Sequence, residues 1–172
     1  ILWVGTCYPL KRPEAVVSLA KKLPHARLTM IMPRSSRYKD YGEKVKKMIA
    51  EQKNIRLIDN VPLDEIDAYY AASQIFINTS EYEGFPFSLL QALAQAVPAV
   101  FLKVDPDSIF NTQRVGIVCA DDQEQFASNV LRLLTDKGLW RSYSARGRQY
   151  FAQYHNVAKA RDRWVSLLRG EI

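Results

Sequence analysis

The stretch Ile75–Leu102, IFINTSEYEGFPFSLLQALAQAVPAVFL, decides the fold. Ile75, Phe76 and Ile77 form an unbroken apolar run, suited to a strand buried on both faces. Asn78, Thr79 and Ser80 end it with turn-prone polar residues. Glu81-Tyr82-Glu83-Gly84-Phe85-Pro86 reads as a loop, in which Gly84 allows close approach of a ligand or a positive φ. Pro86 fits the first turn of a helix. Leu89, Leu90, Leu93 and Ala94 supply that helix's apolar stripe. Val97–Leu102 is the next strand, with Pro98 at its start, where a missing N–H is tolerated. The unit places a carboxylate just above a helix N-terminus, whose free amides and dipole attract anions. Phosphate on the helix and hydroxyls on the carboxylate would suit a nucleotide sugar. On pattern alone, an ordinary βαβ unit with a solvated acidic loop is the equal alternative.

Working outward, Ile1–Gly5 reads as a first strand. Pro13 opens a helix whose apolar face is Val16, Leu19, Ala20 and Leu23. Arg27–Met32 is a second strand. Val45, Met48 and Ile49 mark a helix whose solvated face carries Lys44, Lys46 and Lys47. Ile55–Ile58 is a third strand, after which Asp64 is placed to cap a helix through Ala72. One of Tyr69 and Tyr70 belongs to the core. Gly116–Cys119 reads as the last strand. Phe126, Val130 and Leu133 mark a helix, Trp140, Tyr143, Tyr150 and Tyr154 another, and Val157–Leu168 a third, with Trp164 expected to pack. Six strands alternating with helices predict an α/β fold, a doubly wound parallel six-stranded Rossmann-like sheet. In such sheets ligands bind at the carboxyl ends of the strands, near the point where strand order reverses.

At 172 residues the chain suits one domain with a sizeable core, and 48% apolar with 24% charged residues is ordinary for a globular protein. Its first residue lies inside a strand, so residues 1–172 are expected to be one piece of a longer chain. The net charge of +6 favours anionic ligands and allows contact with an anionic membrane surface. Lys and Arg are dispersed, without the aromatic–basic pattern of an RNA reader, so nucleic acid is not expected as a partner. Cys7 and Cys119 suggest neither a disulfide framework nor a metal site, and a reducing cytoplasm fits. His25 and His155 are isolated and read as structural or exposed. Asp105-Pro106-Asp107 reads as a turn or cap rather than a metal site.

Glu83-Gly84-Phe85-Pro86, then Leu89-Leu90-Gln91-Ala92, then Pro98-Ala99-Val100, resembles the signature of retaining glycosyltransferases of family four, which have the GT-B fold. That signature is a Glu, seven residues, and a second Glu on the following helix. Glu83 matches the first, and Gln91 replaces the second. The resemblance covers nearly the whole chain. It implies the donor-binding half of a two-domain enzyme, with the N-terminal acceptor-binding domain absent from this chain. The implied activity is transfer of a sugar from a UDP- or GDP-linked donor to an acceptor such as a lipid-linked or polysaccharide glycan. The anomeric configuration is retained, and neither cofactor nor metal is required. Localisation would be cytoplasmic, the full-length protein being free to associate peripherally with the inner face of the membrane.

Roles follow from the same resemblance. The family carries Gly-Arg and a later Lys after the first strand; here Gly5 and Lys11 match while Thr6 stands in place of Arg. Lys11 would meet the donor diphosphate, with Arg12 as a substitute second cation. Glu83 would bind donor sugar hydroxyls, so that Glu83 and Lys11 form the catalytic pair. Backbone amides of Gly84, Phe85, Phe87, Ser88 and Leu89 around Pro86 would hold sugar and phosphate. Val61 would contact the nucleobase through its main chain, and Gln91 would face the ribose. A glycine-rich turn near the base is replaced by Met32-Pro33-Arg34-Ser35-Ser36, and Ala96 stands where Gly is usual. These departures suit an alternative, a catalytically degenerate nucleotide-binding domain. Nothing adjacent in sequence suggests a structural partner for Glu83, and its loop is expected to be exposed.

Overall fold

The computed structural model describes residues 1–171, and at 158 and 159 the backbone alone. Its strands are β1 (Leu2–Val4), β2 (Leu28–Ile31), β3 (Ile55–Ile58), β4 (Phe76–Asn78), β5 (Ala99–Phe101) and β6 (Gly116–Val118). The helices are α1 (Pro13–Lys22), α2 (Lys39–Ala50), α3 (Ile66–Ala71), α4 (Phe87–Ala94), α5 (Ile109–Gln113), α6 (Gln123–Thr135), α7 (Lys137–Tyr154) and α8 (Val157–Leu168). All the strands pair in parallel, in the order β3-β2-β1-β4-β5-β6. The chain therefore winds outward from β1 to one edge and then from β4 to the other. The reversal falls between β1 and β4, where Leu2 lies opposite Phe76 and Trp3 opposite Ile77.

The strand pleat sends successive side chains to opposite faces, and both faces of the central strands are covered, so apolar residues serve on both. Trp3, Met30, Ile75, Ile77 and Val100 pack on one face with Val16, Leu19, Val45 and Phe126 from α1, α2 and α6. Leu2, Ile31, Phe76, Ala99 and Phe101 pack on the other with Tyr70, Leu89, Leu93 and Phe110 from α3, α4 and α5. Close approach requires glycine at Gly116, because a Cβ there would sit 2.7 Å from the Phe110 ring and 2.9 Å from the Ala99 carbonyl oxygen.

Several local expectations change. Asp64 does not cap α3: Glu65 occupies the N-cap position and makes no side-chain cap bond. Pro86 is the N-cap of α4 rather than its first helical residue, with extended φ/ψ of −73°/125°. Trp164 is 64% exposed, and Val157 and Leu168 on the same helix are more exposed still, so that aromatic does not pack in the described core. Ala96 holds a left-handed φ of 57° just past α4, which explains why glycine suits this position. Asp105 does cap, its carboxylate accepting from the amides of Phe110 and Asn111.

Candidate active site at the reversal of strand order

The loops that leave β1 and β4 meet at the crevice between those strands. Trp3 Nε1 donates to Thr79 Oγ1 at 2.9 Å, and that hydroxyl donates to the Lys11 carbonyl at 2.6 Å. Glu81 N donates to the Leu10 carbonyl at 2.7 Å. Buried polar groups at the end of β4 thus fix the backbone that carries Lys11. Proline at position 13 and the left-handed φ of 48° at Arg12 turn the chain from that loop into α1.

Lys11 Nζ donates to Glu83 Oε1, which also accepts from Ser80 Oγ at 2.7 Å and Asn78 Nδ2 at 3.3 Å. Asn78 Oδ1 in turn accepts from the Ser80 amide at 2.8 Å, closing a turn that aims both donors at the carboxylate. Among the described residues no donor reaches Oε2. The side chains of Lys11 and Glu83 are only 20% and 12% exposed. Glu83 is therefore neither exposed nor without structural partners, because the polar run after β4 supplies two of them. Burial pushes its carboxyl pKa up, but the bonds and charge of Lys11, with the bonds from Ser80 and Asn78, outweigh burial and hold it below its ordinary value.

Gly84 does not adopt positive φ, and a Cβ there would meet nothing within 4 Å, so the space above it is open to a ligand. Among the described residues the amides of Gly84, Phe85, Phe87 and Ser88 donate to no protein acceptor, whereas the Leu89 amide is bonded to the Pro86 carbonyl at 3.0 Å. Four of the five expected amides are thus free at the amino end of α4, and Leu89 contributes only apolar packing. Phe87 is 82% exposed beside them. Gln91 lies one turn further along α4, in an open groove shared with Leu63, Asp67 and Phe87. Val61, two residues before Leu63, is half-buried, so the loop after β3 and Gln91 border one depression.

Gly5 and Thr6 follow β1 at the same end of the sheet, Thr6 being exposed. Arg12 is not a free second cation, for its Nη1 donates to Glu81 at 3.1 Å and to Asp121 at 2.6 Å. Lys103, after β5, pairs with the other oxygen of Glu81. Four loops, following β1, β4, β5 and β6, are joined by this chain of charges. The segment replacing the glycine-rich turn bounds a cavity of about 420 Å³, lined by Cys7, Met32, Arg34, Tyr38 and Lys46 among others. Lys46 is not simply solvated: it pairs with Asp59 at 3.0 Å, as does Arg34 at 2.9 Å.

Sequence reasoning missed Thr79, Ser80 and Asn78 as site residues. Their signal was three consecutive polar residues directly after a fully buried strand. Of the two readings of His155, structural or exposed, the first holds: it supports the site loop. Its ring lies 5.4 Å from that of Phe85 and contacts Tyr150 and Phe151, and its Nε2 is buried without a partner among the described residues. Burial pushes its imidazole pKa down.

A wholly parallel six-stranded sheet in this order matches the Rossmann-like domains of GT-B glycosyltransferases. The family described as Glycosyl transferases group 1 matches residues 1–136, and the chain belongs to it. An O-antigen chain mannosyltransferase B of Escherichia coli is 28% identical over 157 residues, 85% of this chain and 39% of that protein. A glycosyltransferase 1 domain-containing protein of Xenopus tropicalis is 24% identical over 93% of this chain and 46% of its own length. The chain thus spans less than half of these curated relatives. In structure it resembles Anabaena HepE in complex with UDP, with a TM-score of 0.85 at 15% identity over 98% of this chain and 48% of that one. It also resembles the C-terminal domain of the group 1 glycosyl transferase LpcC of Francisella tularensis, with a TM-score of 0.71 at 18% identity over 91% and 86% of the two chains.

Proposed function

We propose that the chain is the donor-binding half of a retaining glycosyltransferase that uses a nucleotide diphosphate sugar. The observation that carries this reading is the row of free amides at the start of α4, set above a lysine–carboxylate pair in the crevice between β1 and β4. Lys11 and those amides receive the diphosphate. When the bond between the anomeric carbon and the diphosphate oxygen breaks, both electrons leave with the diphosphate, whose charge fixed donors stabilise without reorganising; the acceptor hydroxyl oxygen bonds to the anomeric carbon, and its proton passes to the departing diphosphate. A metal is not required on this reading, because the cation and the amides already face the leaving group. Glu83, with Oε2 open, accepts from sugar hydroxyls and favours positive charge developing at the anomeric carbon. Gln91 and the main chain at Val61 hold the nucleoside; an amide in place of a carboxylate still accepts from ribose hydroxyls, without charge.

The nucleotide bound in HepE supports UDP as the first donor base to test. Residues 1–172 act as a single domain whose acceptor-binding partner lies elsewhere in the parent chain, and the acceptor is a lipid-linked or polysaccharide glycan. The setting is the cytoplasm, with the basic surface drawing the parent protein to the inner face of the membrane. Residues 1–172 alone bind nucleotide without transferring sugar, because acceptor contacts and closure over the donor are missing. Calorimetry of residues 1–172 with UDP, GDP and their sugar conjugates, beside a transfer assay of the parent chain, tests this. Binding with transfer by the parent supports the reading. Binding without transfer by the parent makes the domain degenerate. Multiple-turnover transfer by residues 1–172 alone refutes the division of labour, and no binding at all refutes the site.

A further inference from the structure

We infer that Glu83 makes the site discriminate between the sugar-bearing nucleotide and the bare nucleoside diphosphate, by serving as the resident counter-ion of Lys11. The inference rests on the reading above and concerns how that site selects its ligand.

The argument starts from charge. The cation meant for the diphosphate is already paired, through Glu83 Oε1, and the pair is mostly shielded from water. Ser80 and Asn78 donate to the same oxygen, so the carboxylate cannot swing away from Lys11 without losing them. A diphosphate arriving at Lys11 therefore arrives beside a fixed negative charge. Like charges in a partly desolvated crevice repel more strongly than in water. A nucleoside diphosphate has an ionisable terminal phosphate and carries more negative charge than the same nucleotide esterified to a sugar. It also brings no hydroxyl to Glu83. The sugar conjugate carries less charge and offers hydroxyl donors to Oε2, which no protein group uses among the described residues. Glu83 thus penalises the bare diphosphate and rewards the conjugate. Transfer converts the second ligand into the first, so the same carboxylate that holds the donor expels the product.

Calorimetry on residues 1–172 with UDP and UDP-glucose, and in parallel with GDP and GDP-mannose, tests this in wild type and Glu83→Gln. Glutamine keeps the shape and still accepts from Lys11, Ser80 and Asn78, but it carries no charge. The bare diphosphate should bind about two- to fivefold more tightly to the variant, the scale of one partly screened charge contact. The sugar conjugate should bind equally or less tightly. Should a thermal melt show Glu83→Gln unfolded, Glu83→Ala replaces it with the same expected shift in the ratio. Equal tightening of both ligands would reveal a general charge effect and overturn the inference, as would an unchanged ratio; in either case the binding site itself stands. Binding of no nucleotide by wild type or variant overturns the inference together with the functional reading beneath it.

Discussion

Two carboxylates stand at the same edge of the sheet, and their surroundings differ. Glu83, after β4, is bonded to Lys11 and to two neutral donors, in a crevice that leaves it nearly covered. Asp59, after β3, is bonded to Lys46 and Arg34 with about half of its side chain in solvent. Both have pKa values held below the ordinary range. For Asp59 the bonds from Lys46 and Arg34 suffice, whereas for Glu83 they must first overcome burial. An ion pair alone therefore does not mark a site. What separates Glu83 is that neutral donors fix its orientation, one oxygen stays open, and free helix amides lie next to it.

The largest expected effect breaks this contrast chemically. In the parent enzyme, Glu83→Gln should lower kcat by at least about a hundredfold, the scale of one lost electrostatic stabiliser, while Asp59→Asn leaves kcat unchanged. Steady-state kinetics on both variants decide it, and an undiminished kcat for Glu83→Gln removes that residue from the mechanism. Next comes Lys11→Ala, expected to weaken nucleoside diphosphate binding by about 1.5–3 kcal/mol, a lost charge-assisted bond. Arg12→Ala should cost less, since Arg12 is committed to Glu81 and Asp121. Equal losses in calorimetry would show that Arg12 also reaches the ligand.

Stability should separate the two carboxylates by a smaller margin. Ser80→Ala removes a donor to a mostly buried charge and should cost about 1 kcal/mol in denaturant unfolding. Asp59→Asn should cost under about 0.5 kcal/mol, because solvent screens its partners. For either group the folded pKa is lowered, so the unfolded chain binds the proton more readily and stability is lost as the pH is lowered. The Glu83 contribution is full above its ordinary unfolded value and is lost as pH falls through the lower folded value. Raising salt should erase the Asp59 contribution while leaving most of that from Glu83. A Glu83 contribution that vanishes equally in salt would show that the crevice is as wet as the open edge.

The alternation of apolar runs with helical stripes made the sheet legible, and the positions of Lys11 and Glu83 after β1 and β4 placed them together. Their direct bond was not legible, since residues 72 apart in sequence carry no mutual signal. Asn78, Thr79 and Ser80 are legible in sequence only as turn formers, although each is buried and hydrogen-bonded within the site. Asp64 illustrates the reverse error: an acceptable capping residue stands close to a helix that begins two residues later, at Ile66. His155 carried no sequence signal because its partner Phe85 is distant in the chain and its role is packing rather than ligation.

The chain of charges through Arg12, Glu81, Lys103 and Asp121 has a mechanical consequence. Each loop it joins leaves a different strand, and each would otherwise fluctuate separately. Linked, they move as the rim of a cup instead of as separate fingers. Because the links are partly exposed, added electrolyte is expected to loosen the whole rim together, ahead of the buried sheet beneath it.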